Sequence, residues 1–272
     1  MQINNSPLGK KSGYVDKYSP ELLFPIKRAA QRENIDITSS LPFYGFDAWN
    51  AYEISWLNEK GKPQVAIAKF IFPCDSENII ESKSFKLYLN SFNNSKFDSI
   101  DDVKKILTND LSKAANSEVK VQINFLQKTN LNIKNNFIGK NIDNIDIECN
   151  EYNVNADFLI AENTKVTETL TSDLLKSNCL VTEQPDWGSI QISYTGNKIS
   201  HEGLLKYIVS FRNHNEFHEH CVERIFIDIM EKCGPEKLTV IAHYVRRGGL
   251  DINPYRSTEK DVKFINHRLS RQ

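Results

Sequence analysis

Apolar and polar residues alternate along Tyr52-Glu53-Ile54-Ser55-Trp56-Leu57 and along Gln64-Val65-Ala66-Ile67-Ala68-Lys69-Phe70-Ile71-Phe72, with the turn residues Asn58 to Lys62 between them. A period of two on either side of a turn predicts a β-hairpin. The pattern then changes to helical spacing. A short helix is predicted over residues 84–92, and a second starts at Ser99, where Ser99-Ile100-Asp101-Asp102 resembles a capping box with Asp in place of Glu. Val103, Ile106, Leu107 and Leu111 form its apolar face, and a strand over 119–126 follows.

The second half runs through a similar series. Trp187-Gly188-Ser189-Ile190-Gln191-Ile192-Ser193-Tyr194 alternates as a half-buried strand. Residues 204–212 and about 216–232 read as helices, and 238–245 as a closing strand. The longer helix carries Val222, Ile225, Phe226, Ile229 and Met230 on one face. Cys233-Gly234-Pro235 stops it, the glycine as a left-handed cap and the proline by forbidding continuation. Each half is therefore expected to be strand–strand–helix–helix–strand, an α+β unit with an antiparallel sheet and two helices on one face. The first forty residues, with Tyr14, Tyr18, Leu22-Leu23-Phe24-Pro25 and Arg28 to Arg32, read as an ordered lead-in. The Asn-rich stretch from Asn130 to Asn155 reads as the connection, which divides the chain into expected domains 1–140 and 141–272.

The halves share residues as well as pattern. At an offset of 119, Tyr88 falls on Tyr207, Ser91 on Ser210, Phe92 on Phe211 and Asn94 on Asn213. After a one-residue gap Phe97 meets Phe217, setting Phe97-Asp98-Ser99 against Phe217-His218-Glu219. Upstream, Glu81-Ser82-Lys83 stands against Ser200-His201-Glu202. Each copy has lost what the other keeps, which predicts a duplicated domain whose halves supply different parts of one site.

Charge narrows the class. With 34 Lys+Arg against 35 Asp+Glu and no block of like charge, no nucleic-acid footprint or membrane patch is expected. No apolar stretch approaches transmembrane length, and Met1-Gln2-Ile3-Asn4-Asn5-Ser6 lacks the basic start and apolar run of a signal peptide. Cys74, Cys149, Cys179, Cys221 and Cys233 are odd in number and form no C-x-x-C pair, as expected of reduced thiols in a cytoplasmic protein.

Candidate chemistry is concentrated in four places. Cys179 sits in a polar loop just ahead of a strand, where a thiol is accessible; an ordinary free cysteine would read the same way. Asp186 follows Pro185 immediately before that strand, as a turn residue or as a proton donor to the thiol's chemistry. His218 and Glu219 open the long helix, where an acidic residue also complements the helix dipole. A zinc site from His218, His220, Cys221 and Cys233 is disfavoured, because the two histidines face different sides of a helix and Cys233 lies at its far end. Arg246-Arg247-Gly248-Gly249 suits a phosphate or a solvated turn. There is no G-x-G-x-x-G after a strand and no P-loop.

Taken together, Cys179…Gln184-Pro185-Asp186-Trp187-Gly188, Glu81-Ser82-Lys83-Ser84-Phe85-Lys86-Leu87-Tyr88, Ser210-Phe211-Arg212-Asn213-His214…Phe217-His218-Glu219 and Arg246-Arg247-Gly248-Gly249-Leu250-Asp251-Ile252-Asn253-Pro254 resemble the NADPH-dependent 7-cyano-7-deazaguanine reductases, the QueF family of queuosine biosynthesis. The division of motifs between halves resembles the family's longer, duplicated form. The resemblance implies tandem tunnelling-fold domains that assemble to close their barrels, with a homodimer expected. It implies four-electron reduction of a nitrile to an amine, with Cys179 adding to the nitrile carbon to form a thioimide, Asp186 protonating the nitrogen and His218 near the reacting carbon. It further implies Ile80, Glu81, Ser82, His218 and Glu219 at the substrate, and Ser82, Lys83, Arg247 and Gly248 at NADPH. No metal is implied, and Cys74, Cys149, Cys221 and Cys233 match no family motif. The first half has no Cys…Pro-Asp motif; Phe46-Asp47-Ala48-Trp49 stands at the expected equivalent place, so one catalytic centre per chain is expected.

Three other functions are open to the same residues. A zinc-dependent tunnelling-fold cyclohydrolase would need a Cys/His metal set. A cysteine hydrolase of nitriles or amides could use Glu81, Lys83 and Cys179. A non-catalytic purine-binding module would not depend on Cys179 at all.

Overall fold

The computed structural model describes residues 13, 15–38, 40–129, 133–180, 182–260 and 267–272. Met1–Ser6, Tyr14 and Asn130 lie outside the described residues. Two compact units form: one from the described residues of Met1–Asn34, Phe46–Leu131 and Arg246–Asp251, the other from Ile35–Gly45, Asn132–Val245 and Ile252–Gln272. Each unit thus takes one short segment from the opposite half of the chain.

The first unit contains β1 (Pro25–Lys27), α1 (Ala29–Arg32), β2 (Tyr44–Leu57), β3 (Pro63–Pro73), β4 (Asn78–Ile80), α2 (Ser82–Asn90), α3 (Ile100–Ala115) and β5 (Lys120–Phe125). β3 pairs antiparallel with both β2 and β5, and β1 pairs antiparallel with β4. Alternation along β2 and β3 turns Trp49, Phe70 and Phe72 to one side, where Phe85 of α2 meets them at ring-centroid distances of 5.4, 5.0 and 6.3 Å. Val103, Leu107, Leu111 and Ala115 form the fully buried stripe of α3. Ser99 caps that helix by accepting from the Asp102 amide at 3.1 Å, half of the expected capping box, while its hydroxyl donates to the Asp102 carboxylate at 2.6 Å. Asn116 closes it in the left-handed conformation. The lead-in packs as part of the unit: the Glu81 amide donates to the Phe24 carbonyl at 2.9 Å, and buried Arg28 pairs with Asp47 at 2.6 Å.

The second unit contains β6 (Ile133–Lys134), β7 (Lys140–Asn141), β8 (Ala161–Ser172), β9 (Lys176–Asn178), β10 (Pro185–Ile199), α4 (His201–Ser210), α5 (His218–Cys233), β11 (Lys237–Tyr244), β12 (Leu250–Ser257) and β13 (Arg268–Leu269). Its sheet has the order β12-β11-β10-β8-β7, antiparallel apart from the β7–β8 pair. β9 adds to the start of β10, and β6 pairs in parallel with β13. Ile190, Ile192 and Tyr194 lie opposite Ala242, Val240 and Leu238, all buried, beneath the fully buried Val222, Ile225, Phe226 and Ile229 of α5. Phe43, from the first half of the chain, stacks edge-on against Phe226 at 5.5 Å. Gly234 ends α5 with φ 54°, as Cys233-Gly234-Pro235 predicted.

Hydrogen bonds repeat between the units more faithfully than residues do. Tyr88 donates to Asp110 at 2.6 Å, and Tyr207 to Asp228 at 2.5 Å. Ser91 donates to the Tyr88 carbonyl at 2.6 Å, and Ser210 to the Tyr207 carbonyl at 2.7 Å. The amides of Asn94 and Asn213 donate to the carbonyls of Asp16 and Tyr152 at 3.0 and 2.9 Å. Ser19 and Asn155 each donate to the following helix's serine, Ser91 and Ser210, at 3.2 Å. The Asn-rich connection therefore ends inside a second lead-in that no residue identity betrays.

The same comparison corrects the alignment. Leu57 donates to Ser95 and accepts from Phe97, both at 2.9 Å; Asn178 donates to His214 at 2.8 Å and accepts from Glu216 at 3.1 Å. The counterpart of Phe97 is Glu216, not Phe217. One residue has been lost before α5 rather than gained, so Phe217 takes the N-cap place of Ser99 and His218-Glu219 stand where Ile100-Asp101 do.

Glu223 and Arg256 form an ion pair at 2.8 Å in the second unit with no exposed side-chain surface on either partner. Removing one partner strands the other charge in the core. Glu223→Ala is expected to lower stability by about 3–5 kcal/mol, measured by urea unfolding.

Candidate active site

The hairpin of β9 and β10 sets Cys179. Asn178 lies opposite Pro185, Ser177 opposite Asp186 and Lys176 opposite Trp187. The turn closes with the Cys179 amide donating to Gln184 at 2.8 Å and the Glu183 amide donating to Cys179 at 3.0 Å, Glu183 adopting φ 55°. Strand alternation therefore puts Ser177, Cys179 and Asp186 on one face of the hairpin and Lys176, Asn178 and Trp187 on the other. Ser177 and Asp186 are buried and Cys179 is half-buried. Asn178 fixes the hairpin to the segment ahead of α5 through its backbone and through an amide bond to Asn215 at 3.0 Å. On the opposite face, the Arg212 guanidinium lies 5.7 Å from the centre of the Trp187 ring.

The equivalent place in the first unit is the β2–β3 turn, where Leu57 lies opposite Pro63 as Asn178 does Pro185. Asn58 therefore occupies the position of Cys179, and Gln64 that of Asp186. Phe46-Asp47-Ala48-Trp49 is not the counterpart, because it lies at the far end of β2 from that turn.

His218, the first residue of α5, brings its Nε2 to 3.3 Å from Asp186 Oδ2. Its ring stacks on Tyr244 of β11 at 4.0 Å with 27° between planes. Glu219, one residue further into the helix, is 2% exposed. His220 turns away: its Nδ1 lies 3.9 Å from Glu216, whose carboxyl burial pushes up against the pull of the Phe217 amide and Arg224. Cys221 is fully buried, and burial pushes its thiol far up, the opposite of what a nucleophile requires. Burial also pushes Cys233 up, to about 11.

In the first unit, Glu81 acts as the N-cap of α2, its carboxylate accepting from the Lys83 and Ser84 amides at 2.7 and 2.8 Å. It is 1% exposed; burial pushes its carboxyl up, opposed by those amides and by Lys86 and Lys83. Ile80 is buried at the end of β4, and Ser82 and Lys83 are half-buried in the first turn of α2. Arg247-Gly248-Gly249-Leu250 forms a tight turn, the Arg247 amide donating to Leu250 at 3.0 Å with φ 57° and 71° at the glycines. A Cβ on Gly248 would lie 3.3 Å from the Lys86 side chain, so the Lys86 stem of α2 lies beside this turn. The Arg246 guanidinium lies 5.1 Å from the centre of the Tyr52 ring.

The predicted residues thus fall into two sets: Cys179, Asp186, His218 and Glu219 in the second unit; Ile80, Glu81, Ser82, Lys83, Arg247 and Gly248 in the first. Among the described residues no group of three or more His, Cys, Asp and Glu could hold a metal ion. Among the described residues no helix is long and apolar enough to cross a membrane. Sequence reasoning missed Tyr244 and Glu216, which carry no motif; only alternation along 238–245 hinted that Tyr244 points inward.

A duplicated α+β protein with a thiol, a carboxyl and an imidazole in one unit and a cationic glycine turn beside a helix lysine in the other is a candidate cofactor-dependent thiol enzyme. Two family profiles match this chain, one described as "Nitrile reductase, 7-cyano-7-deazaguanine-reductase N-term" over residues 14–123 and one as "QueF-like protein" over residues 185–263. The chain is 53% identical over 274 residues to the NADPH-dependent 7-cyano-7-deazaguanine reductase of Burkholderia multivorans, covering 100% of each. It is 56% identical over 272 residues to that of Legionella pneumophila strain Lens, covering 99% of this chain and 95% of the relative. A Polaromonas reductase is 53% identical over 270 residues, covering 98% of each. The chain belongs to the 7-cyano-7-deazaguanine reductase family.

His214, whose carbonyl holds Asn178, is kept neutral: burial, and then Arg224, lower it from 6.5 to about 4. Below 6.5 the unfolded chain takes up a proton that the folded chain refuses, so this group's contribution is full above 6.5 and lost as pH falls towards about 4. His214→Gln is expected to flatten the fall in unfolding free energy across that window, measured by urea unfolding at a series of pH values.

Proposed function

We propose that this protein reduces 7-cyano-7-deazaguanine to 7-aminomethyl-7-deazaguanine with two NADPH, a step of queuosine biosynthesis. The observation that carries the reading is a half-buried cysteine on the same hairpin face as a carboxyl that lies 3.3 Å from an imidazole, in a chain whose relatives bear that activity in their names.

Cys179 Sγ adds to the nitrile carbon, forming a C–S bond and turning a poor hydride acceptor into a thioimide. Asp186 gives its proton to the nitrile nitrogen as the adduct forms, and His218, 3.3 Å away, can return one to it. When bound, NADPH supplies hydride, and two molecules account for the four electrons between nitrile and amine. Between the two reductions the C–S bond breaks and Cys179 leaves as thiolate. Glu219 in the second unit and Glu81 in the first are each a buried carboxyl suited to a ring's donor edge, and Ile80 and Ser82 flank Glu81 in sequence. Ser82, Lys83, Arg247 and Gly248 are the residues we assign to the cofactor's phosphates: Arg247 opens a glycine turn with two positive φ angles, Lys86 of α2 lies beside Gly248, and glycine amides can approach an anion closely. One chemical centre per chain follows from Asn58 and Gln64 standing where the second unit has Cys179 and Asp186. The expected domains 1–140 and 141–272 remain our division of labour, amended by the assignment of Arg246–Asp251 to the first unit.

A cytoplasmic homodimer completes the proposal. Its support is that no disulfide joins any of the five cysteines, together with the habit of tunnelling folds to close barrels by assembly. Light scattering is expected to give twice the 31.3 kDa of one chain; the mass of one chain would remove the dimer.

Mixed with NADPH and 7-cyano-7-deazaguanine, the protein is expected to oxidise about two NADPH per nitrile and to form a mass adduct on Cys179 that Cys179→Ala lacks. In the same assay Arg247→Ala is expected to raise KM for NADPH by roughly tenfold or more, from loss of one charge-assisted hydrogen bond. Ammonia release without NADPH oxidation would replace the reductase with a hydrolase.

A further inference from the structure

Tyr244 is absorbed by none of the motifs, yet it contacts both the strand that carries Asp186 and the helix that carries His218. It is fully buried near the end of β11, directly opposite Gly188 of β10. A Cβ on Gly188 would lie 3.3 Å from both Cδ1 and Cε1 of the tyrosine, so the ring lies against bare backbone two residues beyond Asp186. The same ring stacks on His218 at 4.0 Å. Its buried hydroxyl lies towards the Cys221 thiol and Ser177, the residue opposite Asp186. One flat side chain therefore spans from the strand that carries the carboxyl to the helix that carries the imidazole.

We propose that Tyr244 is a positioning residue: its ring, seated on Gly188, holds the His218 imidazole within reach of Asp186. Gly188 is then glycine because the ring needs that surface. An imidazole on the first residue of a helix has no preceding turn to restrict it, so an aromatic platform replaces that restraint. A buried aromatic with only a packing role would lower stability on truncation and leave the His218–Asp186 geometry alone. The kinetic part of the proposal rests on the reductase reading.

The test compares Tyr244→Phe, Tyr244→Leu and Gly188→Ala, each checked for folding by near-ultraviolet circular dichroism. In NMR spectra without substrate or NADPH, the His218 ring protons are expected upfield in wild type and Tyr244→Phe, and that shift is lost in Tyr244→Leu. In NADPH oxidation, Tyr244→Leu is expected to lower kcat roughly a hundredfold with KM for the nitrile within about threefold, as for a misplaced proton-transfer group. Tyr244→Phe, which keeps the ring, is expected to recover kcat to within about threefold of wild type. Added to His218→Ala, Tyr244→Leu is expected to cost no more than about a further twofold, because it acts through a group already removed. Full additivity, an unaltered kcat in Tyr244→Leu, or a loss in Tyr244→Phe as deep as in Tyr244→Leu would each overturn the proposal. Should Tyr244→Leu not fold, Gly188→Ala decides: it keeps the tyrosine and presses on the ring, and an unaltered kcat overturns the proposal. If wild type itself oxidises no NADPH, the reductase reading fails, and the ring-proton shift still decides the contact.

Discussion

A phenol buried between two helices must find an acceptor, because a buried hydroxyl left unpaired costs about 1–3 kcal/mol. In both units the answer is the same: a tyrosine of the shorter helix donates to an aspartate of the longer one, Tyr88 to Asp110 and Tyr207 to Asp228. Burial and the adjacent carboxylate push both phenols far up, so they stay donors at any pH the fold survives. The bond pins the helix pair, and the pair's first turns carry the residues we assign to the site. Glu81-Ser82-Lys83 opens α2 in one unit, and His218-Glu219 opens α5 in the other. Helix starts offer unpaired amides and a positive dipole end. A rigid frame with such ends can be loaded with different side chains without being rebuilt.

The two units show that loading. Superposed by their hydrogen bonds, Asn58 and Gln64 stand where Cys179 and Asp186 do, Ser200 where Glu81 does, and Ile100-Asp101 where His218-Glu219 do. Asn58 still does turn work, its Oδ1 accepting from the Lys60 and Lys62 amides at 3.1 and 2.9 Å. The backbone tolerates either occupant because the hairpin bonds involve main-chain atoms. The units differ at these side chains, and the ladder is the same.

Legibility in the sequence follows the range of the forces involved. The hairpin of β2 and β3, both long helices, the Ser99 capping box and the Gly234 stop were readable because each depends on residues within one or two turns of one another. β8 was not: Ala161-Glu162-Asn163-Thr164-Lys165-Val166 is mostly exposed, and Leu170 is its one buried large apolar residue, so no alternation marks it. β12 was hidden for the opposite reason, since every residue of Leu250–Ser257 is buried, Asp251 and Arg256 included, and their polar partners are distant in sequence. The start of α2 was misjudged by two residues because Glu81 is an unusual cap, used here while buried. The motifs named Cys179, Asp186 and His218 but not the Asp186–His218 approach, which depends on register between a strand and a helix 32 residues apart.

The exchange of short segments has a consequence for the lineage of the chain. Asp251, supplied by the second half, accepts from Asn50 and Tyr52 of the first at 2.7 and 2.6 Å, and Phe43, supplied by the first half, lies against Phe226 of the second at 5.5 Å. A duplication begins as two self-sufficient copies, either of which can be deleted. Once each copy completes its core with a strip of the other, deletion of either half unmakes both. The swap works as a ratchet: it commits a redundant pair to remaining a pair, whatever later becomes of the chemistry each one carries.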